Sequence, residues 1–173
     1  MDELFFLPQT TVAMPGAYWL DNTLSSLLMV IQPSKVEFER IQHALKRRST
    51  TDFDMEIMND LYGRDCLVLP HRRYALLTRE FRSQEHHKYL GSTTKVWDSR
   101  SIIQEASFLH FTDWPYPKPW IAASEAMRME IQPACRNTTS GEVDCGDREI
   151  WNRFYQEYRD RREVSQTGVL FVH

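Results

Sequence analysis

The chain has no long apolar run. None of its 173 residues falls in a window that approaches the roughly 20 apolar residues of a membrane span. Its first residues place Asp2 and Glu3 ahead of a short apolar stretch, residues 4–7, whereas a secretory signal has a basic start and a longer apolar core. From the sequence as written we expect no membrane segment in this chain and no route into the secretory pathway.

The sequence also has no strong excess of either charge. It contains 21 Lys and Arg against 24 Asp and Glu, a formal charge of −3, which gives no reason to expect a nucleic acid or an anionic membrane as partner. Apolar residues make up 42% and charged residues 26%, as in an ordinary soluble globular chain. There is no internal repeat and no low-complexity tract, so the length predicts one compact unit.

Cysteine is scarce, with three in the chain. Cys135 and Cys145 bracket a short polar loop with turn formers, and we predict a disulfide between them, which would require an oxidising compartment. Asn137 begins an Asn-Thr-Thr acceptor sequence in the same loop and is a candidate for N-glycosylation. Cys66 opens an apolar run and is predicted to be a buried structural thiol. Without a second cysteine pair, a zinc site is not indicated.

Apolar patterning predicts alternating strands and helices, and therefore an α/β fold. Ser34 is the predicted N-cap of a helix that ends near Arg47, with Glu37 completing a capping box. Gly63 is the predicted C-terminal cap of a second helix. Residues 83–94, including His86 and His87, are predicted to be an exposed loop or a short helix. The predicted strands are residues 27–31, 66–69 and 106–109. The second helix, which Gly63 caps, covers residues 54–61, and two further helices are predicted at residues 102–106 and 147–162.

A loop rich in proline and tryptophan follows the last predicted strand: His110-Phe-Thr-Asp-Trp-Pro-Tyr-Pro-Lys-Pro-Trp120. Proline fixes φ and removes backbone donors, so the loop is held extended. It presents an imidazole, His110, and a lysine, Lys118, at a strand end, where ligands bind in open α/β sheets. One metal-capable nitrogen and one cation suit the diphosphate of a metal-bound nucleotide. The alternative is a surface loop with a packed histidine.

This loop closely resembles the HFxGxxKPW signature of the glycogenin-like glycosyltransferases, family 8. It is nearest to the fungal branch of glucose N-acetyltransferases, or alpha-N-acetylglucosaminyltransferases. In that family the histidine completes a manganese site and the lysine contacts the donor diphosphate. The resemblance therefore assigns His110 as a metal ligand, Lys118 as a diphosphate-binding residue and Mn²⁺ as cofactor. It extends along the chain through residues 2–8, 13–21, 24–34, 52–63, 66–78 and 144–162.

Two further sites rest on the same resemblance. Glycogenin-like enzymes begin a helix with DQxxLN, where the Asp-Gln pair contacts the donor sugar and the acceptor. The matching run here is Asp54-Met-Glu-Ile-Met-Asn59, which assigns Asp54 as the catalytic carboxylate near an oxocarbenium-like centre. The alternative is a helix N-terminal aspartate favoured by the helix dipole. Ser25 and Ser26 stand where glycogenin has Asn-Ser, and their hydroxyls are candidate sugar-binding groups.

Other residues have plainer interpretations. The His71-Arg72-Arg73 run is predicted to be a solvated strand exit. Trp19 is predicted to pack in the core. For Trp114 and Trp120, core packing and stacking on a sugar ring are equally favoured.

The resemblance implies the fold and the activity. It implies a GT-A type, Rossmann-like nucleotide-diphospho-sugar transferase fold, a mixed sheet with flanking helices, represented here by its C-terminal part. The family's Asp-x-Asp motif precedes the segment that opens this chain, so we expect residues 1–173 to be a single, N-terminally truncated domain. The implied reaction is retaining transfer of a sugar, N-acetylglucosamine above all, from a UDP-sugar to a mannose-type glycan in the Golgi lumen. The alternative is a non-enzymatic, catalytically incomplete fragment that lacks the donor-binding half.

Overall fold

The protein was analysed as a computed structural model that describes residues 1–137 and 141–167, the side chains of 164–167 excepted. The described residues form α-helices and short strands, so the predicted α/β class is confirmed. No helix within these residues is both long and apolar enough to cross a membrane. The helices are α1 (Lys35–Arg47), α2 (Asp54–Tyr62), α3 (His71–Tyr74), α4 (His87–Leu90), α5 (Ser99–Glu105), α6 (Glu125–Ile131) and α7 (Gly146–Thr167). The strands are β1 (Val12–Pro15), β2 (Val30–Ile31), β3 (Leu67–Leu69), β4 (Leu76–Leu77), β5 (Leu109–His110), β6 (Arg136–Asn137) and β7 (Val143–Asp144), with 3₁₀ helices at Asp2–Phe6 and Thr78–Arg82.

The chain divides into two compact units, where the sequence predicts one domain. Unit 1 comprises Met1–Leu76, His87–Thr93 and Glu105–Phe108. Unit 2 comprises Leu77–His86, Thr94–Gln104 and Leu109–His173. Each unit has its own packed aromatic and aliphatic side chains, and they are described in turn.

Unit 1 is built on a three-stranded sheet with the order β2-β1-β3. The central strand β1 runs antiparallel to β2 and parallel to β3, with Ala13 opposite both Val30 and Leu67. All four residues of β1 are buried. The sequence did not predict this strand, and its last residue is a proline, which lacks a ladder donor. Pro15 is accommodated because it ends the strand and its carbonyl accepts the Ser25 amide at 2.7 Å.

Helices α1 and α2 of unit 1 follow the sequence prediction closely. Ser34 caps α1 by accepting the Glu37 amide at 3.4 Å. The Glu37 carboxylate accepts a hydrogen bond from the Tyr62 hydroxyl at 2.7 Å, so this side chain links α1 to α2. The two faces of the sheet bury different clusters. One cluster contains Val12, Met14, Met58 and Tyr62, and the other contains Ala13, Leu69 and Tyr74.

Unit 2 is organised by the long helix α7. The sequence predicts this helix and its apolar stripe, of which Ile150, Trp151 and Tyr155 are buried. Its aromatic side chains contact Phe81 from the 3₁₀ helix Thr78–Arg82 and Phe111 from the loop after β5. Immediately before α7, strands β6 and β7 form an antiparallel pair.

Two sequence interpretations are wrong. His86 is buried, at 8% exposure, rather than exposed. Its Nδ1 lies 3.1 Å from Glu80 Oε1, and its ring stacks on Trp97 with 4.1 Å between centroids. A polar sequence window cannot reveal such pairing, because both partners lie outside the local pattern. Residues 71–73 form most of helix α3 rather than a solvated strand exit. His71 and Arg72 are half-buried and Arg73 is exposed, and His71 Nε2 lies 2.7 Å from the Tyr89 carbonyl.

Candidate functional site

The loop of residues 110–120 is fixed by side chains of unit 2. It begins at β5, which pairs with β4. The Thr112 amide donates to Thr78 Oγ1 at 2.9 Å. Asp113 is 2% exposed, and its Oδ2 accepts the Tyr155 hydroxyl at 2.9 Å while Oδ1 lies 3.5 Å from Arg82. Burial, then the Asp113 charge, raises the pKa of Tyr155 far above its ordinary value, so the tyrosine stays a hydrogen-bond donor.

The loop brings His110 and Lys118 together. Lys118 Nζ lies 3.3 Å from His110 Nε2 and also donates to the Phe111 carbonyl. Both side chains are half-buried. Burial, and then the Lys118 cation, lowers the pKa of His110. The imidazole is therefore held in its neutral form, in which a ring nitrogen can accept a hydrogen bond or bind a metal.

A metal ion would need more than His110. Mn²⁺ takes several ligands, with a preference for hard oxygen atoms. Among residues 1–137 and 141–167, no group of three or more His, Cys, Asp or Glu side chains could hold a metal ion. The ammonium of Lys118 also lies beside the nitrogen that would bind it. The described residues supply one suitable nitrogen and do not complete a manganese site.

Unit 1 holds the predicted residues Asp54, Ser25 and Ser26. Asp54 is the first residue of α2 and is exposed. Its Oδ2 accepts a hydrogen bond from Ser26 Oγ at 2.7 Å, across 28 residues of sequence. Ser25 is fully buried, and its Oγ accepts the Leu27 amide at 3.3 Å. Ser26 and Asp54 thus form a polar pair open to solvent, whereas the Ser25 hydroxyl is buried and accepts the Leu27 amide.

Asn59 positions this pair, a role that the sequence analysis did not assign. Its Oδ1 accepts the Leu24 amide at 2.8 Å, and its Nδ2 donates to the carbonyls of Leu24 and Met55 at 2.8 Å each. The segment that carries Ser26 is thereby fixed to α2, beside Asp54. The signal was present, since Asn59 ends the run that begins with Asp54. Asp113 was missed similarly, although it is the one carboxylate in the 110–120 loop.

The remaining predicted residues lie as follows. Trp114 and Trp120 are exposed, at 87% and 50%, and Trp19 is half-buried. A disulfide joins Cys135 to Cys145. Asn137 is exposed on β6, and the two threonines after it lie outside the described residues. Cys66 is a half-buried free thiol whose pKa is raised by burial.

The sequence is similar over its whole length to fungal proteins of one name. It is 48% identical to glucose N-acetyltransferase 1 of Gibberella zeae, over 100% of this chain and 40% of that protein. It is 45% identical to the Aspergillus fumigatus protein of the same name, over 95% of this chain and 47% of that protein. The Saccharomyces cerevisiae protein of this name is 26% identical over 81% of this chain and 36% of its own length. The chain thus spans less than half the length of these relatives.

No family model and no solved structure matches the chain. The match to the Gibberella protein extends over all residues of this chain. At this identity and coverage the similarity reflects common descent. The chain is a homologue of part of the fungal proteins named glucose N-acetyltransferase 1.

Proposed function

We propose that this chain is part of a glycosyltransferase that transfers N-acetylglucosamine from UDP-N-acetylglucosamine to a glycan acceptor. The observation that carries the proposal is the contact between Lys118 Nζ and His110 Nε2 in a fixed loop at a strand end. A cation beside a neutral imidazole suits a diphosphate better than it suits an apolar or cationic ligand. The relatives' shared name supports a transferase and does not favour a non-enzymatic fragment.

In the proposed reaction, the bond between the sugar C1 and the diphosphate oxygen breaks, and a bond forms between C1 and an acceptor hydroxyl oxygen. The hydroxyl proton passes to the departing diphosphate oxygen, and the configuration at C1 is retained. Lys118 would neutralise negative charge that develops on the departing diphosphate. The Asp54 carboxylate, oriented by Ser26, would stabilise positive charge at C1. Ser26 would contribute to binding of the sugar, whereas the predicted role of Ser25 is not retained, because its side chain is fully buried.

The cofactor, fold and compartment are part of the same proposal. Mn²⁺, with His110 as one ligand, would add positive charge at the diphosphate. The described residues alone do not complete the ligand set of this ion. The chain would be the C-terminal part of a GT-A type fold of family 8. A Golgi location and a mannose-type acceptor complete the proposal. The Cys135–Cys145 disulfide supports an oxidising compartment, since disulfides persist there.

The proposal is tested by calorimetric titration of the chain with UDP-N-acetylglucosamine, with and without Mn²⁺. We expect binding that weakens at least tenfold in Lys118→Ala, because the cation that faces the diphosphate is removed. Lys88→Ala, at an exposed position of α4, is the matched control and should bind as the wild type does. Equal binding by both variants, or no binding to folded wild-type protein, would contradict the proposed donor site.

A further inference from the structure

Unit 2 contains a polar groove between α6 and α7 that none of the predicted residues lines. Its volume is about 520 Å³, within the usual range of small-molecule sites. The groove is open to solvent and lined mainly by charged and amide side chains, including Glu149, Asn152, Gln156 and Arg159. Such a lining suits a ligand with many hydrogen-bonding groups and does not suit an apolar one.

The wall of the groove is held in place by hydrogen bonds between side chains. Arg128 of α6 donates to Asn152 Oδ1 of α7 at 2.6 Å and pairs with Glu125. Asn152 Nδ2 in turn donates to Gln132 Oε1 at 2.9 Å. A ligand that enters the groove therefore meets side chains that are already ordered, which reduces the entropic cost of binding.

Charged side chains of both signs line the groove. Three arginines line it, namely Arg128, Arg153 and Arg159, together with two glutamates, Glu125 and Glu149. Arg128 pairs with Glu125, and Arg153 lies 3.7 Å from Glu157, which is not part of the lining. Two of the three arginines are therefore already engaged with a carboxylate and are less available to a phosphate or another anion. Neighbouring hydroxyl groups on a sugar ring suit this lining better, because carboxylates accept from them and guanidinium and amide groups donate to them.

The groove shares a wall with the loop of residues 110–120. Tyr116 of that loop lines the groove, and its ring packs on Trp151 and Tyr155 at 5.1 and 4.9 Å between centroids. Tyr155 also donates to Asp113 at 2.9 Å. A ligand in the groove would therefore contact the same aromatic cluster that fixes the backbone between His110 and Lys118.

We infer that this groove binds the uncharged oligosaccharide acceptor. The inference rests on the proposed glycosyl transfer and adds a location for the acceptor. Glu149 and Gln156 would contact sugar hydroxyls directly. Both side chains are exposed, so their replacement by alanine should leave the fold intact.

The test uses α-linked mannotriose as probe and measures its dissociation constant by NMR titration of the ¹⁵N-labelled chain. We expect the largest chemical-shift changes at residues of α6 and α7. Glu149→Ala/Gln156→Ala should weaken mannotriose binding at least tenfold. Glu39→Ala, an exposed glutamate on α1 of unit 1, is the matched control and should bind as the wild type does. Donor binding is measured in the same samples with UDP-N-acetylglucosamine.

The outcomes separate this inference from the proposed function. If the double variant loses mannotriose binding while its donor binding is unchanged, the groove is supported as the acceptor site. Donor binding with no mannotriose binding, or mannotriose binding that the double variant leaves unchanged, overturns the groove while the donor site stands. Mannotriose binding that maps to the groove in a chain that binds no donor supports a sugar site there and contradicts the proposed transfer.

Discussion

Asn59 illustrates at the scale of one residue how the Ser26–Asp54 pair is assembled. Its amide satisfies both backbone groups of Leu24 and also donates to the Met55 carbonyl. Without it, a partly buried N–H and C=O would have to find other partners. An amide is the one side-chain group that offers a donor and an acceptor at this spacing. The geometry of the pair therefore depends on a residue that contacts neither Ser26 nor a ligand.

We predict that Asn59→Ala lowers the free energy of unfolding by about 1–3 kcal/mol, because two backbone groups lose their partners. Urea denaturation followed by circular dichroism measures this. Gln42→Ala, at an exposed position of α1, is the control and should change stability little. An Asn59→Ala variant as stable as this control would show that water replaces the amide at no cost.

Tyr62 should make the stability of the protein fall at high pH. Burial, and then the hydrogen bond to Glu37, raises the pKa of Tyr62 from 10.0 to about 12. The folded state holds this proton more tightly than the unfolded state does. The stabilisation is therefore complete below about pH 10 and is lost as the pH rises through about 12.

The prediction is tested by comparing the wild type with Tyr62→Phe in urea denaturation between pH 8 and pH 12. The difference in unfolding free energy should shrink above about pH 10, where the unfolded tyrosine ionises. The phenylalanine ring keeps most of the packing, so the comparison isolates the hydroxyl. A difference that stays constant across this range would mean that Tyr62 ionises equally in both states.

At the scale of secondary-structure elements, Gly63 explains why helix α2 ends where it does. It caps α2 with a right-handed backbone, φ −57° and ψ −20°, so it is not required for a left-handed conformation. A Cβ atom at this position would instead lie 2.5 Å from the Asn59 carbonyl oxygen. The glycine thus allows the last turn of α2 to pack closely, with the Gly63 amide donating to the Asn59 carbonyl at 2.8 Å. Asn59 is the residue whose side chain bonds to Leu24.

We predict that Gly63→Ala destabilises the protein by about 1–3 kcal/mol, the usual cost of overpacking. Gly16→Ala is a matched control, because a Cβ atom there meets nothing within 4 Å. Thermal unfolding of the two variants side by side measures the effect. Equal melting temperatures would show that the last turn of α2 opens without cost.

The elements that were predicted well have strong local signals. Helix α1 carries an N-cap serine, α2 ends at a glycine, and α7 has a continuous amphipathic stripe. Strand β1 was missed because its stability comes from two neighbouring strands, one of them more than 50 residues away. The 27–31 and 106–109 predictions found the right regions but not the ends, since two-residue strands such as β2 and β5 leave little periodicity to read.

Among the functional residues, the sequence predicted candidate site residues better than the residues that hold them in place. His110 and Lys118 were named together, and Asp54 and Ser26 were named for separate roles. In the structure Lys118 contacts His110, and Ser26 contacts Asp54. Asn59 and Asp113 were not named, because their roles depend on partners 35 and 42 residues away. The buried His86–Glu80 pair was missed for a related reason, since a polar stretch gives no sign of burial.

At the scale of the whole molecule, the covalent link between Cys135 and Cys145 bears on where the chain can be stable. The disulfide precedes α7, the helix that carries the core of unit 2. It closes a short loop, with a sequence separation of 10 between its cysteines, and the third cysteine, Cys66, is free. A chain kept in a reducing compartment would lose this cross-link while its other contacts remained.

We predict that Cys135→Ser/Cys145→Ser lowers the free energy of unfolding by about 2–3 kcal/mol, because the unfolded chain is no longer constrained. Reductant should destabilise the wild type by a similar amount and leave the double variant unchanged. Cys66→Ala is the control, and its stability should still fall when reductant is added. Wild-type stability that ignores reductant, with three reactive thiols after denaturation rather than one, would show that the pair does not form. It would also remove the structural support for an oxidising, lumenal location.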